Sequence, residues 1–494
     1  MVNAFDHLVG RHIHEGHGAR VAYHFEDETV SYEQLARRSA VMAGRLREAG
    51  VEAGDRVATF CGDSPTLVAI VLACWRLGAV VVVGNQLCPG SQLRFYAEDT
   101  AARVIVASPL AHPHLEGSVD ATLWLDEQLA PTLDSGSEHR EVASLSPETP
   151  ACWQYTQAPD GMELAVVHPH GAVIAGAEPF AIGRLGLRAD DRCLSVAKLY
   201  FGYGFGNSLV FPLAVGSSAI LVNERISIYG IMSRIEEQRP TVFFAVPTFY
   251  VSMLEIPDCA ERYDLSSVRA WVSAGEQLSA ELAAAFHERF GVQLVDGIGS
   301  TEMFHIWISA TPGVTPIGSL GTPTGSHEVR LLDAQGQPVA DGSVGDVWLR
   351  GPHNGLGYAG DPPQAAGKFE DGWIKSGDRM WRDERGDYHF AGRVDDMVMV
   401  GGQKVVLHEV HRALEALEPV RAARVEVVRD PWGLHKLTGH VDLHDGSSSV
   451  ADAAATAGPK KRARELRTLL RQRLLPHKCP SSFEVRIGRE PGEA

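Results

Sequence analysis

Hydrophobic and polar positions alternate from residue 20 to 31, the period of a hairpin, and from Ser31 the period lengthens to that of a helix. Ser31 with Gln34 makes a capping box, and the helical pattern runs to Ala49 and stops at Gly50. A hairpin feeding a helix predicts the start of an α/β layer. Short apolar runs then alternate with longer amphipathic ones. DRVATFC, AVVVV and ARVIVA predict buried strands, and residues 65–77, begun at Ser64, and 93–101 predict helices between them. Such alternation predicts a parallel sheet covered on both faces.

From 108 to 150 the periodicity fades into a Pro/Ser/Glu-rich connection, and after Trp153 a second α/β unit follows through LSVAKLYFGYGFGN, TVFFAVPTFY and RAWVSAGE. Each of its strands ends in a polar or Gly-rich loop, the place where open α/β sheets put ligands. VQLVDGIGSTEMFHIW, HEVRLLD, GDVWLR, GWIKSGD and GDYHFAGR predict a third part, a small β barrel or sheet. Past Arg393 come VDDMVMVGGQKVVLHEV, a helix at 408–417, strands RVEVV and GHVDL, the low-complexity SSSVADAAATAG, a helix at 460–475 and FEVRI. That is a small α+β domain. The predicted domains are 1–394 and 395–494, with no internal repeat.

With 494 residues, 45% of them hydrophobic, the chain can bury large cores and a deep site. Its formal charge of −17 excludes a general affinity for nucleic acid or an anionic membrane surface. Seven scattered cysteines form no CxxC or Cys/His ligand spacing, which argues against disulfide and zinc frameworks and for a reducing cytoplasm. The N-terminal stretch lacks an apolar signal core, and the most apolar run, 68–84, is broken by Arg76. No export or membrane anchoring is expected.

One stretch departs from its surroundings. Residues 155–171, YTQAPDGMELAVVHPHG, have the flanks of a phosphate-binding loop without its centre. Such a loop needs small residues whose N–H groups close on phosphate oxygens, hydroxyls, and a lysine for charge. Here the centre offers Gln157, Ala158, Pro159, Asp160, Glu163 and Leu164. Pro159 has no N–H, Asp160 and Glu163 repel a polyanion, and Leu164 stands where a cation is expected.

In order, YT…VVHPHG, AKLYFGYGFGN, SAGE, DGIGSTE, SGD, GRVDDM and GGQKV resemble the adenylate-forming acyl-CoA synthetase superfamily, most of all its benzoate and aryl-CoA ligase branch. The resemblance covers nearly the whole chain. It implies an α/β fold: a large N-terminal domain of two α/β sheet subdomains plus a small β barrel, and a small mobile α+β C-terminal domain. Members join a carboxylate to AMP from ATP, then pass the acyl group to coenzyme A.

By this resemblance Thr301 bonds the phosphate, Glu302 is associated with magnesium, and Asp296, Gly297 and Ile298 form the wall beside the adenine, with Gly275 and Glu276 as further contacts. Asp378 matches the acid that accepts from both ribose hydroxyls, and Arg393 the basic partner of ribose or phosphate; a carboxylate and a guanidinium fork suit those tasks. Asp395 matches a hinge, and residues 400–404 the loop lining the pantetheine channel, where adjacent glycines let backbone approach a thin ligand. Asp395, Gly402 and Lys404 are thus the catalytic candidates, and Gly401 a cofactor contact. Tyr203, Phe205, Phe249, His305 and Ile306 lie in segments that line the acyl pocket in relatives.

The departures bear on the chemistry. Besides the altered loop, the lysine that relatives use for adenylation has no counterpart in IGREPGEA after LLPHKCPSSFEV. Such a cation offsets repulsion between a carboxylate and the α-phosphate, and loss of one preorganised donor costs on the order of 10²–10³ in rate. Thioester formation from an acyl adenylate needs only the adenylate held, the thiol guided to it and water excluded. The expected function is therefore a non-adenylating acyl-CoA ligase. It is similar to a type found in platensimycin and platencin biosynthesis, where two proteins divide the two steps. The alternatives are a complete ATP-dependent aryl-CoA ligase, with Lys478 standing in, and a non-catalytic AMP or acyl-adenylate binding protein. The implied ligands are coenzyme A and the AMP moiety of the adenylate, with no metal firmly implied. A separate adenylating ligase and a homodimer are admitted as partners.

Overall fold

The computed structural model describes residues 1–395, 397–443 and 459–487. Among them the apolar runs form two large sheets. The first has seven strands in the spatial order 357–358, 163–169, 150–157, 80–83, 56–60, 104–107, 122–125. Its inner strands pair in parallel, as the alternation with helices predicts. Pro150–Gln157 instead turns back antiparallel onto Glu163–Pro169, because a hairpin needs only the short turn at 158–162. Thr122–Leu125 is a strand inside the stretch where periodicity fades; at four residues on a sheet edge it is too short to print a period.

The second sheet has nine strands, ordered 322–323, 306–309, 295–299, 270–273, 242–245, 192–195, 218–221, 21–25, 28–31. The hairpin at 21–31 forms one edge of it, with Tyr23 opposite Ala219, rather than opening the first layer. Which sheet a strand joins is decided by long-range pairing, and no local pattern carries that information. A five-stranded sheet at 328–393 is the third part, and the C-terminal unit holds a three-stranded sheet, 420–429, 435–443, 482–487, with helices Leu407–Glu415 and Pro459–Leu470. No helix among the described residues is long and apolar enough to cross a membrane.

The main core gathers around Pro65–Leu77. Ser64 caps this helix by accepting from the Leu67 N–H, Pro65 fits its first turn, and Gly78 ends it at a φ of 73°. Residues 65–76 are all buried, as expected of a helix apolar on every face. Trp75 donates to the Ala151 carbonyl at 3.1 Å and meets Phe205 edge-on. The charged exception, Arg76, lies over the Phe5 ring at 3.6 Å and donates to Ser39 and to the Ala36 and Arg140 carbonyls. Those acceptors make its burial tolerable, and burial lowers its pKa to about 10.

Trp75→Ala removes the largest fully buried side chain of this helix and is expected to cost about 3–5 kcal/mol. Urea unfolding against Trp75→Phe, which keeps most of the volume, checks it; a change below 1 kcal/mol would place the stability of this domain elsewhere.

Candidate active site

A cavity of about 730 Å³ opens where the strand ends of both large sheets meet the five-stranded sheet and the C-terminal unit. One corner is built by a register. Trp373–Arg382 and Tyr388–Arg393 pair so that Asp378 stands opposite Arg393. Arg393 donates from Nη1 to Asp378 Oδ1 at 2.5 Å, and from Nε and Nη2 to the two oxygens of Asp395, each at 2.8 Å. Burial works against the charge of Arg393, but the bonds to Asp395 and the charge of Asp378 hold its pKa above the ordinary value. Burial likewise opposes ionisation of Asp395, and Arg393 keeps its carboxyl below the usual range. Gly377 adopts a φ of 85°, and a Cβ there would sit 2.8 Å from the guanidinium, so this close approach needs glycine.

The opposite wall carries Gly275, Glu276, Asp296, Gly297, Ile298 and Thr301, all on the cavity. Glu276 accepts through Oε2 from the Thr248 N–H and hydroxyl at 3.0 and 2.7 Å, leaving Oε1 buried without a partner. Ser300 Oγ, also on the cavity, is buried and unpartnered. Unsatisfied polar atoms at a cavity wall are what a polar ligand would pair with. Burial raises the pKa of Asp296 well above its ordinary value, opposed by the Gly297 N–H that its carboxyl accepts.

Glu302 is brought to the same region but not to the cavity surface. Its Oε1 accepts from Tyr358 OH at 2.7 Å and lies 3.9 Å from Lys368 Nζ. Burial opposes its charge, yet Lys368 and then Lys404 lower its pKa to about 2. The carboxylate is thus a buried counter-ion to lysines, a setting that leaves little room for the magnesium role the resemblance implies.

Residues 397–406 form a hairpin of the C-terminal unit whose turn enters between the sheets. Gly275 and Gly402 face each other with φ of 89° and 76°; a Cβ on Gly275 would lie 3.3 Å from Gly402 Cα, and one on Gly402 would lie 2.6 Å from Val246. Two glycines therefore allow backbone-to-backbone docking. Asp395 and Lys404 line the cavity, whereas Gly401 and Gly402 do not. Lys404 donates to Thr156 Oγ1 at 3.0 Å; burial lowers its pKa and Glu302 opposes that.

The altered loop is a hairpin turn. Leu164, 5% exposed, packs with Ala158, Val166 and Tyr358. Asp160 and Ala158 close the turn on the backbone of Met162. Gln157 donates to Glu409 at 3.1 Å, and Glu409 also takes both bonds of Lys478, at 2.9 and 2.8 Å. Gln92 donates to Glu163 at 3.1 Å. Burial raises Glu163 to about 7, with Lys478 opposing the shift and Glu409 adding to it. The sequence gives no local sign of Glu409 or Gln92; an acid in the first turn of a helix reads as ordinary dipole complement. The stretch after residue 487, where the absent lysine is argued, lies outside the described residues.

On the aromatic side, Tyr203, His305 and Ile306 line the cavity, but Phe205 and Phe249 do not. Phe205 packs against Trp75 and Phe304, and Phe249 against Phe243, so both belong to the cores. His305 Nε2 faces the Tyr203 carbonyl at 3.2 Å, and burial lowers its pKa to about 3, so the neutral ring donates there. Phe304, at a φ of 65°, holds a conformation rare for a bulky residue immediately before it.

Over nearly its whole length the chain is similar to known ligases. A benzoate–CoA ligase of Thauera aromatica is 35% identical over 98% of this chain and 92% of its own. The structure of a benzoate CoA ligase from Burkholderia xenovorans LB400 matches with a TM-score of 0.75 at 31% identity, covering 98% of this chain and 96% of that one. An anthranilate CoA ligase, AuaEII, in complex with anthranoyl-AMP, matches with a TM-score of 0.77 at 28% identity, covering 98% and 93%. Residues 11–359 match the AMP-binding enzyme family, and with these relatives the chain belongs to that family, in its benzoate and aryl-CoA ligase-like branch.

Proposed function

We propose that this enzyme makes acyl-CoA from a pre-formed acyl adenylate and coenzyme A, releasing AMP. The observation that carries the reading is the phosphate end of the cavity. Leu164 is buried in an apolar cluster behind that end rather than on the cavity surface, and the C-terminal hairpin brings Lys404 onto Thr156, the space a triphosphate cradle would need. The AMP moiety would lie along Thr301, Asp378 and Arg393, and the acyl group toward Tyr203, His305 and Ile306. The thiol sulfur attacks the acyl carbon, the carbon–oxygen bond to phosphate breaks, and AMP leaves with the bonding pair while the thiol proton goes to solvent. Lys404 and Arg393 offset the charge left on the phosphate. A thiol of pKa about 8.5 supplies enough thiolate without a dedicated base.

A second reading, the complete ATP-dependent aryl-CoA ligase, has the relatives on its side: the proteins that resemble this chain are benzoate–CoA and anthranilate–CoA ligases, and they favour it over the first. The choice rests on residues 157–164. Both readings share an aromatic or other cyclic acyl group. The partner that would supply the adenylate, the hinge at Asp395 and the domain boundary there belong to the same proposal.

Two assays separate them. With synthetic aryl adenylates, coenzyme A is expected to release AMP, while pyrophosphate exchange into ATP stays at background over a panel of aryl and alicyclic acids. Robust exchange with any acid establishes the second reading.

Asp378→Ala is expected to weaken AMP binding about tenfold or more, the loss of a charged hydrogen-bond partner. Calorimetry measures it, and unchanged affinity would remove Asp378 from the ribose.

Glu163 gives a pH test. Its folded pKa, about 7, lies above the ordinary 4.5, so the folded state binds the extra proton. The stability this contributes is present below the ordinary value and lost as pH rises through about 7. Glu163→Gln should therefore gain stability over the native chain at pH 8 relative to pH 5.5 in urea unfolding. Equal differences at both pH values would show the carboxyl to be solvated in the folded state.

A further inference from the structure

Away from the cavity, HIHEGH at residues 12–17 folds back on itself at the end of helix Arg11–His14. Gly16, at a φ of 81°, lets its own N–H donate to the Ile13 carbonyl at 3.0 Å and that of His17 to the His12 carbonyl at 2.7 Å. This paired ending sets the side chain of His17 beside that of His12. Between them stands Glu15, with Oε2 4.0 Å from His12 Nδ1 and 3.6 Å from His17 Nδ1. Among the described residues this is the one group of three such side chains whose ligand atoms lie within 4.8 Å of one another.

The nitrogen assignments are the telling part. His12 is 4% exposed, and its Nε2 is 2.8 Å from the Leu213 carbonyl, which makes Nε2 the protonated nitrogen. Nδ1 then carries the lone pair, 4.0 Å from Glu15 Oε2, buried and with no hydrogen-bond partner. His17 Nδ1 is likewise buried and unpartnered. A ring-nitrogen lone pair facing a carboxylate oxygen is repulsive unless a proton or a metal ion lies between them. A ring nitrogen fixed by a backbone carbonyl on its far side is how proteins orient a metal-binding histidine.

We propose that His12, Glu15 and His17 bind one divalent transition-metal ion, Zn²⁺ by the chemistry of two imidazoles and a carboxylate, with water completing a four-coordinate shell. Bonds of about 2.0–2.1 Å at a tetrahedral centre separate ligand atoms by roughly 3.3 Å, so the 3.6 and 4.0 Å gaps, and the His12–His17 gap of at most 4.8 Å, must each shorten by movement of the Glu15 and His17 side chains around His12. Through His12, which also meets the Tyr32 ring edge-on at 5.0 Å, the ion ties the N-terminal helix to the Leu213 segment. None of the three lines the cavity, so the site is structural.

The test titrates the chelator-treated full chain with ZnCl₂ by calorimetry and with CoCl₂ by visible absorption. One ion per chain, four-coordinate Co²⁺ bands, and a loss of affinity of about tenfold or more in both Glu15→Gln and His17→Gln are expected. Both substitutions are at positions open to solvent, so circular dichroism should be unchanged. His14→Gln, exposed on the same helix, should bind as the native chain does. The proposal is overturned if the native chain binds no ion, if it binds equally in the Glu15 and His17 variants, or if the Co²⁺ spectrum is six-coordinate only.

Discussion

Arg393 holds the site together. Its guanidinium joins Asp378 on one strand of the five-stranded sheet to Asp395, where the chain leaves that sheet for the C-terminal unit. Three of the five N–H donors of the fork have a carboxylate acceptor, and without the guanidinium the two acids would face each other as buried, uncompensated charge. Ribose hydroxyls at Asp378 would have to share the carboxylate with Arg393, which leaves Asp378 Oδ2 as the free acceptor. The geometry of this corner of the cavity and the path of the chain into the C-terminal unit are therefore set by the same side chain.

Much of this was legible in the chain. The helix at 65–77 has the bounds its Ser-Pro start and Gly stop indicate, because caps act locally. Asp378, Arg393 and the Gly-rich turn at 401–402 could be named because short motifs in order survive low identity. What the pattern could not say is where a side chain points. Phe205 and Phe249 sit near strand ends yet turn into cores, and a half-turn of helix separates the two outcomes. The hairpin at 21–31 is plain in its alternation, but its membership of the second sheet is a matter of pairing far along the chain.

The loop at 157–164 shows both sides of this limit. Its departure from the residues that a phosphate-binding loop calls for can be read from Pro159 and Leu164 alone. Its acquired contacts cannot: Gln157 reaches Glu409, 252 positions on, and Glu409 holds Lys478, 69 further. A lysine that reads as a candidate stand-in for a missing cation is, in the structure, already satisfied by a carboxylate. Lys478 would have to give up two charge-assisted bonds to serve a phosphate, so its presence in the sequence is weak support for adenylation.

These contacts also make two occupants mutually exclusive. The C-terminal unit sits with Lys404 on Thr156 and Glu409 on Gln157, both at the end of the strand that precedes the altered turn; on the proposed reading this is its closed arrangement. A triphosphate in that space would have to displace the ammonium and face Glu163 and Asp160. A ligand shifts such an equilibrium only by the difference in its affinity for the two arrangements. Leu164 supplies no favourable interaction with phosphate in either, so nothing in the loop favours the open arrangement. A monophosphate on Thr301 and Arg393 makes no such demand, and it would gain a nearby cation when the unit is closed. On the proposed reading, closure and adenylate binding therefore reinforce each other, while closure and triphosphate binding compete for Thr156.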